Sequence, residues 1–245
     1  MSALTFYLDA PLQSWGASSK FQYRETGNFP TKSAVVGLLA AALGIDKHSS
    51  DEREKLNPLQ ELRLTAIRLG KTTRPVTRLV DFHSIGGGYD KKKSLREKMS
   101  IPRKASGPPF GTVITRRYYL NDAVFAVILE GDPSTLDRIR QALLNPVWGT
   151  WFGRKTCLPA SPLTPTMGDS AQAALDDLLE RLPGHLPVPL DHLEYQREIL
   201  PSEEIDGTFY QSDQPVAFGQ HHGPVPAPYR ARGVIHHRPV PDPSP

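Results

Sequence analysis

The 245-residue chain has a single cysteine, Cys157. One thiol cannot close an internal disulfide, and a structural zinc site draws on several spaced ligands. No run of about 18 apolar residues occurs, so no transmembrane helix is expected. Met1 to Gly16 holds no basic segment followed by an apolar stretch, so no secretory signal is expected there. These lacks point to a reducing cytoplasm and call for no cofactor. Net charge is also scarce, at +3. Proline is abundant: with 24 prolines and 19 glycines, the two make about 18% of the chain against a usual ~12%. Seven of those prolines fall between Pro224 and Pro245, so residues 224–245 are expected to form an extended or disordered tail. Hydrophobic residues at 38% and charged residues at 22% are ordinary for a globular chain. The length allows one large domain or two modest ones, with a core that needs no staple.

The charge is unevenly spread. Lys71 to Arg117 carries twelve cations against three anions, a net +9 over 47 residues, while the rest of the chain sums to −6. Such a stripe fits a binder of phosphate backbones. A solvated loop kept soluble by its lysines would look the same.

Hydrophobic patterning gives the elements. Leu4 to Leu8 reads as a strand, and Ala10 to Gly16 as a loop. Thr31 or Ser33 caps a helix whose body, Ala34 to Leu43, is almost wholly apolar and therefore buried; Gly44 stops it. Gly37 inside that helix suggests a close backbone approach. Lys32 has the wrong sign for a helix N-terminus unless an anion binds beside it or it points to water. Asp46 to Asn57 reads as a charged linker or short helix. Glu61 to Leu69 and Arg74 to His83 read as strands. Gly86 to Gly88 and the prolines that follow mark an exposed excursion. Thr112 to Leu120 and Ala123 to Glu130 return as strands. Pro133 to Leu144 and Ser170 to Leu182 read as helices. The order β-α-β-excursion-β-α is that of a ferredoxin-like or RRM-type sheet, an α+β fold.

Several chemistries can be weighed. Gly27 to Ser33 resembles a phosphate loop, but no second glycine precedes Lys32 and the required spacing fails. Cys157 follows Arg154 and Lys155, yet no base accompanies it, so a structural cysteine is expected. The pairs His221-His222 and His236-His237 lack a ligand pattern, and no metal is expected. A metal-free ribonuclease needs only a base, an acid and cations. His83, Tyr89, Tyr118, Tyr119 and the nearby lysines meet that need, and they equally suit plain RNA binding. Aromatics among basic residues favour RNA or single strands, because unpaired bases stack on rings. Trp15 and Arg116-Arg117-Tyr118-Tyr119 are the candidates. Arg117 and Tyr119 share one strand face and Arg116 and Tyr118 the other. A Trp15 that plugs the core is the alternative.

The residues that carry a family signature are Pro11-Leu12-Gln13-Ser14-Trp15-Gly16, then Arg24-x-Thr26-Gly27-x-Phe29-Pro30-Thr31-Lys32-Ser33, Gly37-Leu38-Leu39 and Leu43-Gly44-Ile45. Shorter matches are Asp81-Phe82-His83, Arg117-x-Tyr119-Leu120, Gly153-Arg154-Lys155-x-Cys157 and Ser202-Glu203-Glu204. Together they closely resemble the fifth Cas-protein family of CRISPR Cascade complexes, in its type I-E form. The resemblance implies an RRM-like domain over 1–145 with a basic thumb inserted at about 78–119 and a small loop-rich C-terminal region over 146–223; the proline-rich 224–245 tail has no counterpart in it. It also implies a non-catalytic subunit that grips the 5′ handle of CRISPR RNA. The thumb would lie against the neighbouring backbone subunit. The large subunit that reads the PAM would be touched as well, target DNA only indirectly, and no membrane. The implied RNA contacts are Gln13, Trp15, Arg24, Thr31, Lys32 and Ser33 at the handle. On the thumb they are His83, Lys91, Lys92, Lys93, Arg116, Arg117 and Tyr119, with Arg154 and Lys155 closing another side. In type I-C systems the corresponding protein is itself the processing ribonuclease, which would make His83 the likeliest base.

Overall fold

The computed structural model describes residues 1–16, 19–20, 22–70, 76–85, 92, 94, 113–219 and 229–239. Its elements in the first half are strands β1 (Ala3–Asp9), β2 (Leu12–Gln13), β3 (Ser19–Lys20) and β4 (Tyr23–Arg24), helices α1 (Lys32–Leu43) and α2 (Glu52–Gln60), and strands β5 (Arg63–Arg68) and β6 (Thr77–Ile85). There follow β7 (Val113–Asn121), β8 (Val124–Glu130), helix α3 (Pro133–Leu144), β9 (Thr166–Gly168), helix α4 (Ala171–Arg181), β10 (Tyr195–Glu198), β11 (Phe209–Pro215) and β12 (Tyr229–His237).

Seven strands form one antiparallel sheet in the order β11-β12-β10-β5-β8-β1-β9. Alternation along β1 and β8 divides the side chains between two cores. Leu4, Phe6, Leu8, Phe125, Val127 and Leu129 pack with α1, α2 and α3 on one face. Ala3, Tyr7, Ala126 and Ile128 pack with α4 on the other. A strand covered on both faces reads as an unbroken apolar run, which is why Ala123 to Glu130 does.

Helix α1 follows its sequence signals. The buried Thr31 hydroxyl accepts from the Ala34 amide, and Gly44 closes the helix in the left-handed region at φ +70°. Gly37 does not mark a backbone-on-backbone contact. A Cβ there would meet the Phe218 ring at an ordinary 3.6 Å.

Two boundaries differ from expectation. Strands from 146–223 are woven into the same sheet as β1, β5 and β8, so that region is not a layer of its own. Within the expected tail, Tyr229–His237 forms strand β12 between β10 and β11. The reason lies in the proline positions: residues 229–238 contain none, and the prolines crowd on either side.

A second sheet has the order β2-β7-β4-β3, with β6 also pairing β7. The β6–β7 pair is the described part of the expected thumb; Lys91 and Lys93 lie outside the described residues.

Candidate nucleic-acid interface

Besides Tyr119, four residues expected at the RNA are enclosed by protein. The Trp15 side chain is fully buried, stacked on Phe152 at 6.1 Å and set edge-on to Phe125 at 6.4 Å. Buried Gln13 donates from Nε2 to the Leu8 and Ala123 carbonyls at 3.2 and 2.6 Å and accepts from Trp15 Nε1 at 3.1 Å. Its amide is therefore engaged inside the protein at both ends. Thr31 is used up as the α1 cap.

Lys32, the fourth, is the largest correction. Its side chain is 3% exposed, with Nζ 2.7 and 2.8 Å from the two Glu198 oxygens. Its backbone amide donates to Asp213 Oδ2 at 2.7 Å, and Arg232 clasps the same carboxylate at 2.6 and 2.9 Å. Burial pushes the Lys32 ammonium below the ordinary lysine range, while the Glu198 carboxylate pulls it back up. A helix N-terminus does attract an anion here. That anion is Asp213, from strand β11 of the same chain.

Other candidates meet at the surface. An open cleft of about 360 Å³ lies where α1, β4 and the 151–154 turn converge, and Arg24, Glu25, Ser33, Trp151, Arg154 and Tyr229 are among its walls. Ser33 is half-buried, its hydroxyl 3.3 Å from that of Thr31. β4 pairs with β7 in parallel, which sets Arg24 beside Arg117 and Tyr23 beside Arg116. Asp81 stands opposite Arg117 in the β6–β7 register. Among the described residues neither Arg24, Arg117 nor Arg154 has a carboxylate ion-pair partner. Like charges side by side on one sheet face repel unless something neutralises them.

The opposite face of β7 carries an aromatic ladder. Arg116 lies 5.4 Å from the exposed Tyr23 ring and 5.0 Å from the exposed Phe82 ring, and its Nη1 donates to the Tyr23 hydroxyl at 2.8 Å. Sequence reasoning passed over Tyr23 and Phe82 as contacts; an aromatic next to Arg24 and one at the register partner of Arg116 were the available signals. Tyr119 is buried with the Arg154 guanidinium 4.7 Å over its ring, so it offers no open face. The exposed Lys155 ammonium stands 5.5 Å over Trp151. His83 is half-buried on β6, and its Nδ1 has no hydrogen-bond partner among the described residues. Lys92 is exposed. Cys157 is buried, and burial pushes its thiol above the ordinary range, away from nucleophilic character.

No group of three or more His, Cys, Asp or Glu among the described residues is arranged to hold a metal ion. None of their helices is long and apolar enough to cross a membrane.

The chain is similar to several known proteins. The family model described as CRISPR-associated protein (Cas_Cas5) matches residues 3–221. The CRISPR system Cascade subunit CasD of Escherichia coli (strain K12) is 32% identical over 170 residues, which cover 66% of this chain and 69% of that protein. Among solved structures, a chain from a CRISPR RNA-guided surveillance complex superposes with a TM-score of 0.69 at 30% identity, covering 96% of this chain and 88% of that one. A second, described as a Cas protein, gives a TM-score of 0.55 at 26% identity, covering 96% and 93%.

Proposed function

The chain belongs to the Cas5 family of CRISPR-associated proteins, and we propose that it is a non-catalytic, RNA-binding subunit of a type I-E Cascade surveillance complex. It binds and caps the 5′ handle of CRISPR RNA. The β6–β7 thumb lies against the neighbouring backbone subunit, and another surface meets the large subunit, so target DNA is engaged only indirectly. The relative named as a Cascade subunit and the structural neighbour from an RNA-guided complex support this reading.

The observation that carries it is the neighbouring pair Arg24 and Arg117, neither of which has an ion-pair partner among the described residues, with Arg24 in the cleft wall, backed on the other face of β7 by Arg116 between Tyr23 and Phe82. Phosphates neutralise the first group, and unstacked bases find rings in the second. Ser33 and Lys155 are further contacts in this reading, with His83 and Lys92 on the thumb side; Lys91 and Lys93 are RNA contacts proposed from the sequence alone.

For Arg24→Ala/Arg117→Ala, the slope of log K against log salt for handle RNA is expected to fall by about 1.4, two contacts at about 0.7 each for a single strand. Fluorescence anisotropy at several salt concentrations reads this directly. An unchanged slope and affinity would remove both arginines from the site.

A further inference from the structure

Strand β4 is two residues long and exposed, and so short a strand does not hold its own position. Its backbone neighbours are fixed by the Arg116 amide donating to the Gln22 carbonyl at 2.7 Å and the Gly27 amide donating to the Trp15 carbonyl at 2.7 Å. Arg116 also reaches from β7 to the Tyr23 hydroxyl at 2.8 Å, and a further tie, to the β4 backbone itself, comes from a second side chain. Arg154 Nη1 donates to the Tyr118 carbonyl of β7 at 3.0 Å, and Nη2 donates to the Arg24 carbonyl of β4 at 2.6 Å. One guanidinium thus bridges the two strands whose side chains build the cationic face.

The turn that carries Arg154 is itself anchored. Ser14 N donates to Phe152 O at 3.1 Å, Phe152 N to Cys157 O at 2.8 Å, and Cys157 N to Arg154 O at 2.8 Å. Gly153 sits at φ +93°, and a Cβ on it would lie 1.7 Å from the Ser14 carbonyl oxygen. Only glycine lets the turn come this close.

We propose that Arg154 is a positioning residue for the RNA-binding face: it ties the Arg24 backbone to β7, so that Arg24 and Arg117 stand side by side, and takes no phosphate itself. This rests on reading that face as the RNA site. The tie needs a planar fork. Guanidinium donors diverge in fixed directions and reach two carbonyls at once, whereas a lysine ammonium is a single point. The guanidinium lies 4.7 Å over the Tyr119 ring and has two of its five donors held by carbonyls, so the protein fixes its position. The tie also opposes the repulsion between the two neighbouring arginines, which would otherwise splay β4 from β7.

The test compares Arg154→Lys and Arg154→Ala in the full chain. Handle-RNA affinity and salt slope are measured by anisotropy, and amide hydrogen exchange is measured over 22–27 and 113–121 without RNA. Both variants are expected to bind about tenfold more weakly, the scale of a lost charge-assisted hydrogen bond. Lysine gives no rescue, the salt slope stays unchanged, and exchange over 22–27 accelerates. Wild-type affinity in Arg154→Lys, with a slope lowered by about 0.7 in Arg154→Ala, would make Arg154 a phosphate contact and overturn the proposal. Should the wild-type chain bind no RNA, the functional reading fails, and exchange still decides the tie: unchanged rates over 22–27 in both variants overturn it. Should Arg154→Ala not fold, Arg154→Lys carries the same comparison.

Discussion

Lys32→Ala is expected to destabilise the chain by about 3–5 kcal/mol, the range for breaking a buried ion pair from one side, and to leave the RNA affinity of folded molecules unchanged. The substitution strands Glu198, whose carboxylate is 13% exposed and loses both of its short bonds to Nζ. Arg232 Nη1 stands 4.0 Å away, and its guanidinium is already committed to Asp213. A buried, half-compensated carboxylate costs more than the pair contributed. Pairing Lys32→Met with Glu198→Gln is expected to recover part of the loss. The quartet then reduces to the Asp213–Arg232 pair, whose charges cancel, and the glutamine amide oxygen still offers an acceptor to the Leu64 amide that Glu198 Oε2 now serves. Urea midpoints with matched m-values check both statements. A stable Lys32→Ala chain with weakened RNA binding would return Lys32 to the phosphate site.

Trp15→Ala should cost a similar ~3–5 kcal/mol, as deleting a large buried aromatic usually does. The ring is the largest fully buried side chain among the described residues, and it joins Phe152 and Phe125. Its loss also leaves Gln13 Oε1 without its indole donor in a dry interior. Trp15 holds the Thr26–Gly27 bend through its own backbone, accepting from the Gly27 amide and donating to Thr26 Oγ1 at 2.8 Å, and those bonds survive truncation. The denaturation midpoint should therefore fall steeply while folded molecules bind RNA normally. The reverse pattern, a wild-type midpoint with lost affinity, would mean that the indole contacts a base.

Helix α1 was legible because local chemistry determines both of its ends: a capping hydroxyl at Thr31, an apolar run, and a glycine at 44. Strand β8 was legible because burial on two faces leaves an unbroken apolar run. The role of Lys32 was hidden by distance. The rule that a helix N-terminus recruits an anion was sound, but the anions that answer it lie 166 and 181 residues away, and no local pattern marks them. Strand β12 was hidden by averaging, since a proline-free stretch sits inside a proline-rich window. Arg24 and Arg117 are separate candidates in sequence, far apart along the chain. Only the parallel pairing of a two-residue strand makes them neighbours. Arg154 stands out in the sequence by its charge, which suggests a phosphate contact; the two carbonyls that it bridges carry no signature there.

Whether this chain holds CRISPR RNA without cutting it can be read on a single gel. The purified chain is incubated with end-labelled precursor CRISPR RNA in EDTA, and both mobility and product length are scored. Intact RNA of reduced mobility is expected, with the shift weakened in Arg24→Ala/Arg117→Ala. A discrete cut at the handle boundary that disappears in His83→Ala would contradict this and make the chain a metal-independent processing ribonuclease.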